Sequence, residues 1–306
     1  IIDSIDSKFE NIKKLNLTYL EQIEYIKKIR QSVFQEAVEG KFTNEWRKNN
    51  PKLISGENHA LKLLEKIKIE KDRLVKDKKI KKQKVLKSIT EIEKSFELPD
   101  GWEWCMFGDY ASFERGRFSI RPRNDKSCYG GNYPFIQIGS LNSNGDIITD
   151  YKQTLNDKGF SVSKQFEKGT IAIAIVGGTI GNLGVLGLDM CFPDSMIGIK
   201  PNPKTNQDYI LLLLRSKQSK IKEAAYQMAG QPNIKLPTLN NLLIPLPPLA
   251  EQKAIVEKVN KLMAIIDNLE KQVIERKEQS EMLMKSVLKE AFEGKSVVSQ
   301  EKVGAL

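Results

Sequence analysis

Apolar residues near the C-terminus alternate four and three apart: Ile255, Val259, Leu262, Ile266, Leu269 and Val273. This is the heptad seam of a helix lying along another helix rather than on a globular core. It predicts a long helix over 246–295. Leu246-Pro247-Pro248-Leu249-Ala250-Glu251-Gln252 opens it, since proline is tolerated before or in a first turn that needs no backbone donor. Gly294 suits the left-handed position that closes it. Near the N-terminus Ile12, Tyr19, Ile26 and Val33 recur at seven-residue steps, predicting a helix from about Lys8 to Val38 that Gly40 ends.

The two helices share an ending. Arg30-Gln31-Ser32-Val33-Phe34-Gln35-Glu36-Ala37-Val38-Glu39-Gly40-Lys41 and Lys285-Ser286-Val287-Leu288-Lys289-Glu290-Ala291-Phe292-Glu293-Gly294-Lys295 have Ser-Val, Glu-Ala and Glu-Gly-Lys at matching offsets. This is an internal repeat, two equivalent helices flanking one central region. Their narrow stripes predict antiparallel packing, with Ile12, Tyr19, Ile26 and Val33 facing the 255–273 seam.

Between the helices, 44–55 reads as a loop. A further helix follows from about Glu57, with Leu61, Leu64, Ile67 and Leu74 on one stripe, and runs into the lysine-rich 76–84. That run fits two readings, a solvated helix face or an arm that contacts phosphates without specifying sequence. At Phe96-Glu97-Leu98-Pro99-Asp100-Gly101-Trp102 the composition changes. Strand-forming runs appear at 133–138, 170–175, 196–200 and 242–245, with one helix, Gln207 to Ala229, opened at or beside Asn206 and carrying Ile210, Leu213, Leu214, Ile221 and Ala225. The expected fold class is α+β, a β-rich globular domain over 98–245 flanked by long antiparallel coiled-coil-like helices. The helical region is 1–97, and 246–306 forms the C-terminal spacer helix and tail.

The 306 residues carry 49 Lys and Arg against 39 Asp and Glu, a net charge of +10. A polyanionic partner fits this balance, which alone does not separate nucleic acid, membrane surface and acidic protein. No apolar run approaches the roughly 18 to 20 residues that span a bilayer, and Ile1-Ile2-Asp3-Ser4-Ile5-Asp6 lacks the layout of a signal peptide, so a cytoplasmic location without membrane association is expected. Cys105, Cys128 and Cys191 form no metal-binding pair and His59 is the only histidine, so no metal site is expected. The cysteines read as buried or partly buried thiols and His59 as solvated.

Phe113 to Gly131 interleaves Arg115, Arg117, Arg121 and Arg123 with aromatics and turn formers, followed by Lys126 and Tyr129. Arginine bonds phosphate or a guanine edge with two donors at once, which makes this a candidate DNA-contacting loop. The alternative is a surface loop paired with local acids such as Glu114 and Asp125. Val176 to Gly184 lacks the Gly-Lys-Ser/Thr ending of a nucleotide loop and reads as a tight turn offering Thr179 and Asn182. Gly230 to Lys235 offers Gln231, Asn233 and Lys235, and Gln137 lies at the end of a strand run. Neither methyltransferase nor nuclease motifs are present. No cofactor and no catalytic residues are expected, and the chain is read as a binding protein rather than an enzyme.

Three features together, Leu246 to Val256 with its Pro-Pro-Leu-x-Glu-Gln element, the paired Glu-Gly-Lys endings and Leu98-Pro99-Asp100-Gly101-Trp102, resemble the specificity subunit of type I restriction-modification systems. The resemblance covers essentially the whole chain. It implies a target-recognition domain over 98–245 that reads half of a split double-stranded DNA target. It also implies helices that dock methyltransferase subunits and, with them, restriction subunits. Such subunits usually carry two recognition domains and this chain has one. The resemblance leaves two expectations open, the C-terminal portion of a two-domain subunit or a half-length subunit that pairs with a second copy of itself. A coiled-coil scaffold whose β domain binds a protein or acidic surface is the alternative from another class.

Overall fold

In the computed structural model, residues 2–80, 82, 86–227 and 232–303 are described. The helices in chain order are α1 (Ile2–Val38), α2 (Asn44–Asn49), α3 (Ala60–Lys76), α4 (Phe107–Tyr110), α5 (Asp157–Ser161), α6 (Gln207–Tyr226), α7 (Leu236–Asn240) and α8 (Leu249–Val303). The strands are β1 (Glu103–Met106), β2 (Phe113–Arg115), β3 (Tyr129–Phe135), β4 (Ile147–Ile148), β5 (Gln153–Leu155), β6 (Gln165–Phe166), β7 (Ile171–Ala174), β8 (Leu183–Leu186), β9 (Met190–Cys191), β10 (Met196–Ile199) and β11 (Leu243–Leu246). Long helices flank a sheet-rich domain, the α+β class that the periodicities predict. The chain divides into two compact units, Ile1–Val33 with Val259–Leu306, and Phe34–Lys258.

The first unit is the antiparallel helix pair. Within this unit the less exposed residues of α1 include Phe9, Ile12, Asn16, Tyr19, Ile23, Ile26, Arg30 and Val33, and those of α8 include Met263, Ile266, Glu270, Val273, Lys277, Ser280, Met284 and Val287. Both rows alternate three and four, and they correspond position by position under the repeat: Phe9 with Met263, Ile12 with Ile266, and so on to Val33 with Val287. The repeat is therefore also a repeat of seam register. Ile12, Ile26, Ile266 and Val273 are buried, while Tyr19, Val33 and Leu262 are half-buried. Leu269 departs from the expected seam and is 44% exposed. Glu270 replaces it because Arg30 reaches across, with Nη2 at 2.6 Å from Glu270 and Nη1 at 2.7 Å from Asp267. The layer between Ile266 and Val273 is thus filled by an ion pair rather than by a leucine.

The second unit is the sheet-rich domain. Its five-stranded sheet has the order β2-β10-β7-β8-β4, a four-stranded sheet has β5-β3-β9-β6, and β1 pairs with β11. Ile171, Ile173, Met196, Ile197 and Ile199 are fully buried, and α6 buries Ile210, Leu213, Leu214, Ile221 and Ala225. Burying each large aliphatic chain contributes about 1.5–3 kcal/mol. Asn206 caps α6 by accepting from the Asp208 and Tyr209 amides at 3.0 and 3.1 Å. His59 caps α3 through Nδ1, accepting from the Leu61 amide at 3.1 Å. Ala60, Leu63 and Ile67 are the buried residues of α3, whereas Leu61 is exposed, so the helix lies about one residue from the expected stripe. The 44–55 segment is not an open loop but α2 and a short helical turn over Pro51–Leu53.

Three sequence signatures meet at the start of α8, within the sheet-rich unit. Glu251 is fully buried, and its carboxylate accepts from Thr43 Oγ1 at 2.6 Å, Arg47 Nη1 at 2.5 Å and Trp102 Nε1 at 2.8 Å. Buried Gln252 accepts from the Tyr110 hydroxyl at 2.6 Å and donates to the Pro247 carbonyl at 2.9 Å. Gly40 takes φ +73°, and a side chain there would meet Trp102, Arg47 and Pro99. The Glu-Gly-Lys ending, the Leu-Pro-x-Gly-Trp entry and the Glu-Gln element are thus parts of one buried polar joint. Each partner offsets the cost of burying the carboxylate's charge. The second ending differs: α8 continues through Gly294 to Val303 instead of stopping there. Glycine permits the left-handed turn without imposing it, and at Gly40 the turn is held by Arg47, whose Nη1 donates to the Gly40 carbonyl at 2.9 Å.

Candidate nucleic-acid interface

The topology of the five-stranded sheet brings the candidate loops to one end. β2 pairs antiparallel with β10, β10 with β7 and β7 with β8, while β4 runs parallel to β8. The exit of β2, the entry of β10, the exit of β7 and the entries of β8 and β4 therefore lie on the same side. Ile175 donates to the Ser195 carbonyl at 3.0 Å, and the Ile234 amide donates to the Ile175 carbonyl at 2.9 Å. An isolated bridge joins Val176 to Asn233 and another joins Asn142 to Leu183. The arginine loop, the glycine turn and the segment at 232–235 are neighbours, although they are far apart in sequence.

The arginines gather on an acid other than those expected. Asp194, two residues before β10, takes Arg121 Nη2 on Oδ2 at 3.2 Å and Arg123 Nη2 on Oδ1. Arg115 Nε donates to the Asp194 carbonyl at 2.6 Å. Arg117 donates through Nε and Nη2 to the Ser163 carbonyl at 3.0 and 2.7 Å, and Arg121 Nη1 donates to the Phe118 and Ile120 carbonyls. Glu114 and Asp125 do not pair with these arginines. Burial opposes the charge of Glu114, but hydrogen bonds from Lys164 and Lys200 outweigh it and hold its carboxyl below the ordinary value. Asp125 caps the turn at Lys126–Cys128 and is lowered by the Ser127 hydroxyl and amide. The Tyr129 hydroxyl donates to the Arg123 carbonyl, fixing the far side of the loop. Gly116 sits so close to 192–193 that a Cβ would lie 2.3 Å from the Pro193 carbonyl oxygen. The loop is pinned to the entry of β10, and no larger residue fits at that point.

The remaining candidates have varied surroundings. Lys126 is exposed and makes no ion pair among the described residues, and Lys235 is exposed at the start of α7. Gln137 Nε2 donates to Gln153 Oε1 at 2.8 Å. Asn182 Nδ2 donates to the Leu141 carbonyl at 3.3 Å and supports the turn rather than extending from it. Thr179 Oγ1 and Asn233 Oδ1 are buried and have no hydrogen-bond partner among the described residues. Gln231 lies outside the described residues, as do Lys81 and Lys84 of the lysine run. Asp194 was absent from the sequence-based candidates. Its only signal was its place after Pro193 in an apolar stretch, which points to a strand entry and not to three distant arginines.

Among the described residues no group of His, Cys, Asp or Glu could hold a metal ion, and no helix is long and apolar enough to cross a membrane. Cys105, Cys128 and Cys191 are free and buried, and burial pushes the Cys105 thiol well up and that of Cys191 up to about 11.

Comparison with known proteins bears on this geometry. The type I restriction modification DNA specificity domain matches residues 99–278. The chain is 32% identical over 283 residues to the type I restriction enzyme EcoAI specificity subunit of Escherichia coli, covering 86% of this chain and 44% of that protein. It is 30% identical to the EcoEI specificity subunit of Escherichia coli, covering 86% and 43%. The chain spans about half the length of the curated relatives it matches. In fold it resembles a chain from a structure of type I R-M system assembly and conformational transition, with a TM-score of 0.65 at 16% identity over 95% of this chain and 58% of that one. It also resembles the HsdS subunit of Thermoanaerobacter tengcongensis, with a TM-score of 0.52 at 16% identity over 96% and 57%. On the match across most of its sheet-rich domain and the start of α8, this chain belongs to the type I restriction modification DNA specificity family.

Proposed function

We propose that the chain is a non-catalytic, sequence-specific DNA-recognition subunit of a type I restriction-modification complex. The observation that carries the reading is the convergence of Arg115, Arg117, Arg121 and Arg123 with the glycine turn and the 232–235 segment at one end of one sheet. Arginine forks supply base-edge and phosphate contacts, and the rigid sheet supplies their spacing. The domain over 98–245 reads one half of a split double-stranded target. The paired helices, α1 within 1–97 and α8 within 246–306, set the distance to the other half-site and dock methyltransferase subunits, which bring restriction subunits. A second recognition domain comes from a second copy of the chain or from another part of a longer one. The net charge of +10 steers the chain to the polyanion without specifying sequence.

The test is to map methylated sites in cells that contain this chain with its methyltransferase partner. The expected result is a split motif with a fixed gap whose bases change when residues 98–245 are exchanged. A methylation pattern indifferent to that exchange overturns the reading.

A further inference from the structure

The four arginines of the loop have different donors left over. A guanidinium carries five N–H donors. Arg121 has both terminal nitrogens committed, Nη1 to the Phe118 and Ile120 carbonyls and Nη2 to Asp194. Arg123 is charge-paired with the same carboxylate. Arg117 spends its Nε edge on the Ser163 carbonyl. Arg115 is held only through Nε, at 2.6 Å from the Asp194 carbonyl, and its side chain is exposed at the exit of β2. No partner is seen for its two terminal nitrogens among the described residues. They form the end-on fork that matches the O6 and N7 acceptors of guanine.

The clamp on Nε makes that fork rigid. Asp194 is fixed on two sides: its carboxylate by Arg121 and Arg123, its backbone by the contacts of Ser195 with Ile175 and of Met196 with Pro193. Gly116, next to Arg115, donates its amide to the Met196 carbonyl at 2.9 Å. An arginine oriented before binding loses less rotamer freedom when it meets a base, and a misaligned base then costs more.

We propose that Arg115 is a specificity-determining residue that reads one guanine of the target through its two terminal nitrogens, and that Asp194, clamped by Arg121 and Arg123, is the residue that positions it. This rests on the DNA-recognition reading above. Arg121 is a support and touches no base. The neighbouring arginines have distinct parts although they stand within one loop and look alike in sequence.

The experiment maps the methylated motif directed by the wild-type chain and by Arg115→Ala, Arg115→Lys, Asp194→Asn and Arg121→Lys in the same complex, with thermal melting of each purified variant. Arg115→Ala is expected to relax one G·C position by roughly ten- to a hundredfold and to leave the others in place. Arg115→Lys keeps the charge, loses the fork and relaxes the same position. Asp194→Asn relaxes that position too, while a structural role alone would lower the melting temperature and weaken every position together. Arg121→Lys, which loosens the same clamp from its other side, is expected to relax no position other than the one that Arg115→Ala relaxes. An unaltered motif in Arg115→Ala, or a uniform loss across all positions, overturns the assignment, as does Asp194→Asn relaxing a different position from Arg115→Ala. A wild-type chain that directs no motif at all overturns the recognition reading itself, and the assignment of Arg115 with it.

Discussion

The indole Nε1–H of Trp102 donates to the carboxylate of Glu251 at 2.8 Å, both side chains being buried. The two residues come from elements 149 positions apart. Thr43 and Arg47 complete the carboxylate's donors from a third segment. This arrangement explains why an unusual Pro-Pro-Leu-x-Glu-Gln opening, a Gly-Trp entry and a Glu-Gly-Lys ending occur in one chain: each supplies part of a single joint.

Glu251→Ala leaves Arg47 close to an unpaired, largely buried state and removes the acceptor of Thr43 and Trp102. Breaking a buried pair from one side costs about 3–5 kcal/mol. Trp102→Phe keeps most of the apolar contact and strands one carboxylate oxygen, at about 1–3 kcal/mol. Urea denaturation should rank Glu251→Ala below Trp102→Phe and both below wild type. Two variants that unfold at the wild-type midpoint would show that the joint is not a stabilising feature.

The helix pair carries polar atoms inside its seam. Asn16 Oδ1 and Ser280 Oγ are buried and without a hydrogen-bond partner among the described residues. A buried unsatisfied group costs about 1–3 kcal/mol, and a polar residue in a coiled-coil core fixes register at that cost. Asn16→Leu should therefore raise the melting temperature of the chain. A lowered melting temperature would mean that Asn16 is satisfied in solution.

Lys71 donates to the Gly108 and Ala111 carbonyls at 2.5 and 2.7 Å, and burial pushes its ammonium down to about 8, against the partial pull of Asp109. Below about pH 8 the lysine is charged in both states, and the fold bears the whole cost of burying it. Between about 8 and the ordinary value of 10.5 the unfolded chain keeps a proton that the folded chain has released, so this group makes stability rise with pH. Denaturant titrations at pH 8 and pH 10 should show that contribution in wild type and its absence in Lys71→Met. Parallel pH slopes in the two proteins would refute the assignment.

If α8 spaces two recognition domains, lengthening it should lengthen the gap in the target. Inserting four residues between Lys271 and Glu275, close to one turn, adds about 6 Å of helix while roughly keeping the seam. At about 3.4 Å per base pair the gap should grow by one or two base pairs with the half-site bases unchanged. Methylation mapping measures this directly. An unchanged gap in a complex that still methylates would make the helix a docking surface only.

The sequence by itself determined the elements whose signals are local. Heptad spacing marked α1 and α8, alternating runs marked β7 and β10, and Asn206 marked the start of α6, because periodicity and capping are properties of neighbouring residues. The shortest strands escaped: β4, β6 and β9 have two residues each, too few to show a period, and exist through pairing with distant partners. The arginine loop was legible as basic and turn-rich, but its organisation on Asp194 was not, since 71 residues separate Arg123 from that carboxylate. Tertiary structure also decided between like signals. Glu270 rather than Leu269 lies on the seam, where it pairs with Arg30, and the turn at Gly40 is held by Arg47 while α8 runs on through Gly294. At Glu270 and at Gly40 the local chain permits more than one outcome, and a contact from another segment accompanies the one adopted.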